Sequence, residues 1–218
     1  MEMEKLLLGI DALNFLEKEG FPVLKNALAK DENEAAGIAA GIGFPVALKV
    51  SSPDVIHKTE TGGIVLALED GGATWDAFKK ITSAFLSDHP GKRLEGVIVQ
   101  KMGSGLELIV GVLRNQQFGP VLMFGLGGIF VEAMKDVSFR CIPIDARDAK
   151  EMVEELQAYN VLKSTRKETI DLSVIGDFLL QISNLVERHR GIHEMDLNPV
   201  FISSKGISVC DVRIKIDQ

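Results

Sequence analysis

The fold class is decided by residues 94–128, which read LEGVIVQKMGSGLELIVGVLRNQQFGPVLMFGLGG. Three runs in this stretch, 94–102, 106–114 and 120–128, are rich in β-branched and other apolar residues and are separated by glycine or proline. This pattern predicts three neighbouring strands of one sheet. The polar segment 100–105 joins the first two runs through two glycines, so it predicts a hinge between two subdomains.

Helical patterns lie on both sides of this strand region. Apolar spacing predicts a first helix that ends near residue 19, before Gly20 and Pro22, and a second over 31–43 with Asp31 as its cap. Further helices are predicted over 75–89, 148–162 and 171–189, and further strands over 44–52, 62–68, 198–202 and 206–214. The fold class is therefore α/β (α+β) with mixed connectivity. We expect one domain over 1–218, with an N-terminal helix in 1–21, a small subdomain over 22–101 and a large one over 102–218.

Composition limits the classes of function. The chain has 218 residues, is 46% hydrophobic and carries a formal net charge of -7 with a pI near 5.2. General nucleic-acid and membrane-surface binders need a basic face, so the acidic balance argues against both. The first residues lack the basic start and apolar run of a signal peptide, and we expect a cytoplasmic protein. Cys141 and Cys210 lie in apolar runs, which predicts buried thiols rather than a disulfide.

Lys49 stands in the middle of a predicted strand, VALKV. A buried charge there would need an anionic partner, which favours a phosphate clamp. A lysine that reaches solvent from the strand end is the alternative, and the strand alone leaves both open.

The loop over 51–63 contains His57 beside Lys58 and Thr59 and ends in Gly62 and Gly63. Neutral imidazole can attack phosphorus, while the lysine, the threonine and backbone amides can hold phosphate oxygens. A solvated loop histidine is the plain alternative. The residues of this loop do not choose between the two.

Two further candidates lie in the second half of the chain. The glycine-rich turn over 124–132 follows an apolar strand and lets backbone amides approach a phosphate, although a tight structural turn explains it equally well. Asn198 and Asp211 come at the edges of adjacent predicted strands, where their oxygens can meet and bind Mg²⁺ with nucleotide phosphates. An Asn-Pro turn and an unrelated carboxylate are the alternative.

Taken in order, six segments resemble the ATP-grasp β subunit of ADP-forming acetyl-CoA (acyl-CoA) synthetases and, more distantly, the β subunit of succinyl-CoA synthetase. The segments are ALKV, SPDVIHKTETGG, EGVIVQKM, LELIVGVLR, FGPVLMFGLGGIFVE and DLNPV, and the resemblance covers nearly the whole chain. The resemblance implies an ATP-grasp fold in which two α/β subdomains clasp the nucleotide. One departure is Asn115 and Gln116 after Arg114, where this family commonly has Asp and Pro.

The resemblance also implies roles for individual residues. His57 would carry the phosphoryl group, Asn198 and Asp211 would bind magnesium, and Lys49 would contact the nucleotide phosphates. The other implied nucleotide contacts are Lys58, Thr59, the hinge residues Gln100, Lys101 and Met102, Glu107 near the ribose, and Arg114, Gly127 and Gly128 around the phosphates.

The implied function is phosphoryl transfer between a phosphohistidine and ADP, with ATP/ADP and Mg²⁺ as cofactors. The net reaction would be acyl-CoA, ADP and phosphate giving carboxylic acid, CoA and ATP. We expect a CoA-binding α subunit to be needed, because this chain shows neither a CoA-binding Rossmann unit nor a second histidine motif of the α type. Two alternatives are another ATP-grasp carboxylate ligase, which needs no phosphohistidine, and a nucleotide sensor without turnover.

Overall fold

The structure is a computed structural model that describes residues 4–55, 62–128, 136–163 and 170–217. The chain divides into two compact units. The large unit comprises Met1–Leu7, Ala12–Val23 and Ser104–Gln218, and the small unit comprises Leu8–Asp11 and Leu24–Gly103. Most of the N-terminal segment therefore belongs to the large unit instead of standing apart as a separate helix.

The small unit is a four-stranded antiparallel sheet packed against helices. Its strand order is β2-β5-β3-β4, with β2 at Asn26–Ala29, β3 at Val46–Ser51, β4 at Ile64–Leu68 and β5 at Gly96–Lys101. Helix α2 spans Glu32–Ile42 and α3 spans Gly71–Asp88. Asp31 and Asp70 cap these helices by accepting hydrogen bonds from backbone amides of the first turn.

The large unit is built on a seven-stranded antiparallel sheet in the order β1-β11-β9-β6-β7-β8, with β10 paired to β9. The strands are β1 Glu4–Leu7, β6 Leu106–Asn115, β7 Gly119–Leu126, β8 Val137–Cys141, β9 Ile192–Ser203, β10 Gly206–Val209 and β11 Val212–Asp217. The helices are α1 Gly9–Lys18, α4 Ala146–Glu154, α5 Tyr159–Lys163 and α6 Ser173–Arg188.

The two faces of the large sheet differ. Side chains such as Leu108, Val110, Leu122 and Phe124 are fully buried in the core with residues of α1, α4 and α6. Because successive side chains of a strand point to opposite faces, the residues between them lie on the other face. We call that second face the site face.

The structure corrects five expectations. The predicted strand over 206–214 is two strands, β10 and β11. The first of the three predicted strands, β5, lies in the small sheet, whereas β6 and β7 pair in the large one. The predicted helix over 148–162 is two helices, α4 and α5. Three short strands, β1, β2 and β8, were not predicted. Cys141 is exposed and Cys210 half-buried, although neither forms a disulfide, as expected.

The break between α4 and α5 has a visible cause. Asp136 is only 6% exposed, and its carboxylate accepts hydrogen bonds from the backbone N–H groups of Gln157 at 2.9 Å and Ala158 at 2.8 Å. This buried carboxylate therefore anchors the turn that directly precedes α5.

None of the described helices combines the length and apolar character needed to cross a membrane.

Candidate active site

Asn198 of β9 and Asp211, which directly precedes β11, lie opposite each other in the large unit. Leu197 of β9 pairs with Val212 of β11, and the next step along is a hydrogen bond of 3.2 Å from the Asn198 amide to the Asp211 carbonyl. The Val212 amide donates to Oδ1 of Asp211 at 3.0 Å and fixes that carboxylate. The two residues are therefore neighbours in the backbone, and metal binding by their side chains stays a prediction.

A bulge places Asn198 there. The pairing of β6 with β9 shifts between Leu108 and Val110, so that Asn198 and Pro199 together face a single residue of β6. Bulges of this kind redirect side chains and are common beside active sites. The exposed Asn198 amide is thereby presented on the site face.

Asp196 joins this pair, although it was not among the predicted site residues. It lies opposite Gly111 of β6 and Arg213 of β11. Burial raises the pKa of the Asp196 carboxyl, the Arg213 guanidinium lowers it, and the negative charges of Glu194 and Asp211 raise it. Carboxylates this close favour a bound cation. The signal was available, since residues two apart on a strand share a face and Asp196 precedes Asn198 by two.

The donor set fits magnesium. One carboxylate and one amide oxygen, completed by phosphates and water, are typical ligands of Mg²⁺ in nucleotide sites. Within the described ranges no group of three His, Cys, Asp or Glu side chains has the geometry to hold a metal alone. The pair Asn198 and Asp211 therefore suits a metal that arrives with a nucleotide better than a permanent protein-only centre.

Glu107 and the glycine turn after β7 are in direct contact. The Gly127 amide donates to the Glu107 carbonyl at 2.7 Å. A Cβ added at Gly127 would lie 3.1 Å from the Glu107 backbone carbon, and one at Gly128 would lie 3.0 Å from Oε2 of Glu107. A side chain at either glycine would therefore require Glu107 to shift. The turn and the glutamate, predicted separately, thus form one unit.

Arg114 is not brought to these residues. It lies seven positions along β6 from Glu107, which corresponds to about 23 Å of strand, and the odd spacing puts it on the opposite face of the sheet. Its Nε donates to the carbonyl of Ile192 at 3.1 Å. Its position does not support the expectation that Arg114 neighbours the phosphate site.

In the small unit Lys49 is 7% exposed in the middle of β3, between Ile98 of β5 and Ile64 of β4. The solvent-reaching alternative is therefore wrong. Leu48 and Val50 point into the small core, so the side chain of Lys49 leaves the opposite face of that sheet. A phosphate contact by Lys49 stays a prediction.

Hydrogen bonds from Lys101 and Met102 fix the first part of the predicted hinge. Nζ of Lys101 donates to the carbonyls of Gly43 at 2.9 Å and Phe44 at 2.6 Å, and the Met102 amide donates to the Pro45 carbonyl at 3.2 Å. Gln100 is 1% exposed. The Lys101 ammonium thus holds the turn before β3, and a nucleotide contact by Gln100, Lys101 or Met102 stays a prediction.

His57, Lys58 and Thr59 lie outside the described residues. The strands on either side are described: β3 ends at Ser51 and β4 begins at Ile64, with the Val50 amide bonded to the Gly63 carbonyl at 2.9 Å.

The folds of the two units and the polar residues on the site face of the large unit point to a known class of protein. The family model of the ATP-grasp domain matches residues 1–216. Acetate–CoA ligase [ADP-forming] I of Archaeoglobus fulgidus is 45% identical over 99% of this chain, and the chain spans 33% of its length. The subunit beta of acetate–CoA ligase [ADP-forming] I from Pyrococcus furiosus is 38% identical, with 94% of this chain and 89% of that subunit covered.

Among solved structures, the dinucleotide-forming acetyl-coenzyme A synthetase 1 of Korarchaeum cryptofilum, in complex with coenzyme A and Ca-AMPCP, has a TM-score of 0.92 and 42% identity, covering 97% of this chain and 93% of that one. A second structure of that enzyme holds Mg-AMPPCP, with its phosphohistidine segment pointing towards the nucleotide-binding site, and has a TM-score of 0.84 at 38% identity, covering 97% and 93%. This chain belongs to the family of ATP-grasp β subunits of ADP-forming acetate–CoA ligases.

Proposed function

We propose that this chain is the nucleotide-binding part of an ADP-forming acyl-CoA synthetase and transfers a phosphoryl group between His57 and ADP. The observation that carries the proposal is the bulge-directed pairing of Asn198 with Asp211, beside Asp196 and on the same sheet face as Glu107. Oxygen donors grouped in this way suit a magnesium nucleotide.

Each residue has a separate task in this scheme. Asn198 and Asp211 hold Mg²⁺, which neutralises charge on the phosphates when it is bound. Lys49 supplies a second cation from a buried position, where water screens its charge least. Glu107, braced by Gly127 and Gly128, orients the nucleoside. Phosphoryl transfer depends mainly on such positioning and charge neutralisation.

His57 is the phosphoryl carrier. As ADP attacks, an oxygen of its β-phosphate bonds to phosphorus, the N–P bond of the phosphohistidine breaks, and the electron pair returns to the imidazole. The phosphohistidine segment of the Korarchaeum enzyme, with the matching order of motifs in this chain, supports this role.

The net reaction requires a second polypeptide or domain. The Pyrococcus relative is named a subunit beta, and the Archaeoglobus relative is about three times as long as the matched part. Both facts support a CoA-binding α partner that forms the acyl phosphate. Together the two parts would convert acyl-CoA, ADP and phosphate into carboxylic acid, CoA and ATP.

The first test is phosphoenzyme formation from radiolabelled ATP and Mg²⁺. We expect an acid-labile, alkali-stable label that His57→Asn abolishes. His193→Asn is the matched control, since His193 is engaged by Asp217 at 2.8 Å within the large unit. Labelling that survives in His57→Asn would contradict the assignment.

The second test is reconstitution. The chain is co-expressed with candidate CoA-binding polypeptides, and acyl-CoA-dependent ATP formation is measured with short-chain, branched and aryl substrates. We expect one partner to restore activity and Asp211→Ala to abolish it. ATP formation that is undiminished in Asp211→Ala would remove the proposed metal site from the mechanism.

A further inference from the structure

The site face continues, beyond Asp196, into an apolar surface at the β8 edge of the large sheet. Leu113 of β6 pairs with Val121 of β7, which pairs with Cys141 of β8, and the next row contains Met123 and Phe139. All of these residues have the strand parity of the site face. We call Leu113, Val121, Met123, Phe139 and Cys141 the apolar patch.

The patch is unusually exposed. Leu113 is 59% exposed and Phe139 52%, and Phe118, at 66%, lies in the adjoining hairpin. An aromatic side chain has an area of about 150–250 Å², so these three alone expose roughly 300 Å². Apolar patches of about 300–600 Å² are the largest found on a typical monomer and often bind partners.

The patch and the candidate metal pair occupy one continuous surface. Glu194 lies beside Leu113, and Asp196 lies beside Gly111, which Met123 covers with its Cε 3.2 Å from a Cβ built at that glycine. Apolar residues therefore give way to charged ones within a single strand spacing, about 5 Å. A molecule seated on the patch would meet the carboxylates that flank the metal pair.

We propose that the apolar patch is the docking surface for the CoA-binding partner subunit. The inference rests on the proposed function, because it assigns the patch to the polypeptide that the synthetase reaction requires. The partner must approach the phosphoryl site, and the patch borders that site on the same sheet face. A standard interface covers about 800 Å² on each side, so the exposed patch supplies its apolar centre and the charged rows of β9 and β11 its polar rim.

Leu113→Thr and Phe139→Thr test the proposal in the reconstituted complex. Threonine retains the preference for β-structure while it removes the large apolar group. Leu66→Thr is the matched control, since Leu66 is also a strand leucine that is 59% exposed, but it lies in β4 of the small unit. Affinity for the separately purified partner is measured by isothermal titration, with the partner that restores ATP formation as the probe.

We expect Leu113→Thr and Phe139→Thr each to weaken partner binding at least tenfold and Leu66→Thr to leave it unchanged. Cys141 provides an independent readout on the native chain: its alkylation by N-ethylmaleimide, followed by mass spectrometry, should slow at least tenfold when the partner is added. Phosphoenzyme formation from ATP by the chain alone should be equal in all variants.

Three results would overturn the docking proposal. One is equal partner affinity of the patch variants and Leu66→Thr. Another is self-association of the chain that Leu113→Thr abolishes, which would assign the patch to a second copy. The third is alkylation of Cys141 at an unchanged rate when the partner that restores ATP synthesis is added. If the unmodified chain forms no phosphoenzyme, the proposed function itself is refuted. Failure of the docking proposal and failure of the proposed function therefore give different results.

Discussion

Gly128→Ala should weaken nucleotide binding by displacing the Glu107 carboxylate. It should lower the free energy of unfolding no more than the control substitution Gly119→Ala does. Gly128 has φ +65°, where an alanine costs about 1 kcal/mol, and its new methyl group would lie 3.0 Å from Oε2 of Glu107. Carbon atoms in contact prefer about 3.5–4.0 Å, so a carboxylate oxygen at this distance must retreat. Because Oε2 ends a flexible, exposed side chain, the carboxylate moves and the backbone does not.

The expected change in the Kd for Mg-ADP follows from the hydrogen bond that Glu107 would lose to the nucleotide. A hydrogen bond to a charged group is worth about 1.5–3 kcal/mol, and 1.4 kcal/mol corresponds to a factor of ten. We therefore expect the Kd for Mg-ADP, measured by isothermal titration, to rise about tenfold. Gly119→Ala is the control, since Gly119 has φ +73° and its added methyl group meets no atom within 4 Å. Both variants should lose similar stability in urea. Equal Kd values for the two would refute the role of Glu107.

Three other predictions concern the frame that positions the site. Asp136→Asn should lower the free energy of unfolding by about 2–3 kcal/mol in urea titrations, because the backbone amides of Gln157 and Ala158 lose their charged acceptor. A loss below about 1 kcal/mol would contradict the anchoring role of Asp136. Lys101→Met should raise the KM for ADP, because the ammonium group fixes the turn before β3, and Lys101→Arg should raise the KM less. An unchanged KM in both variants would show that this turn does not affect the nucleotide site. Hydrogen bonding from Arg188 and from His189 lowers the pKa of Glu19, so the stabilisation is complete above about pH 4.5 and is lost as the pH falls further. The difference in stability between the native chain and Glu19→Gln, measured by denaturation, should thus be larger at pH 7 than at pH 3, and a difference equal at both pH values would count against this ion pair.

Local sequence was sufficient to place Asn198 beside Asp211. Asn198 belongs to β9 and Asp211 directly precedes β11, and strands that follow each other closely along the chain usually pair. That pairing brings the two residues together with no knowledge of the remaining fold. Lys49 was likewise visible as a charge inside an apolar strand, although its burial needed the structure to choose between the alternatives.

Sheet membership could not be predicted in the same way. The runs that became β5 and β6 are both rich in apolar residues and are separated by only a short polar segment, yet β5 pairs with β2 and β3 of the small sheet, whereas β6 pairs with β7 and β9 of the large one. Non-local pairing is decided by packing, which strand composition does not encode. The short strands β2 and β8 were missed because four or five residues carry too little periodicity to identify.

For Arg114, the sequence itself contained an argument against a position beside Glu107. Glu107 and Arg114 lie in one uninterrupted apolar run and are separated by an odd number of positions. If that run is a single strand, the two side chains must leave opposite faces. Motif resemblance assigned both to the nucleotide, whereas strand parity separates them, and the structure agrees with parity.

The same parity gives the proposed reaction a direction. Glu107, Ile109, Gly111 and Leu113 share the site face of β6 over about 20 Å. In order, they lie at the glycine turn, beside the bulge that presents Asn198, beside Asp196, and in the apolar patch. If Glu107 orients the nucleoside, the phosphates extend along the strand towards Leu113, because the metal pair lies in that direction. The phosphoryl group must then enter from the end of the sheet at which the partner is proposed to dock. A bound nucleotide with its base towards Leu113 would refute both proposals together.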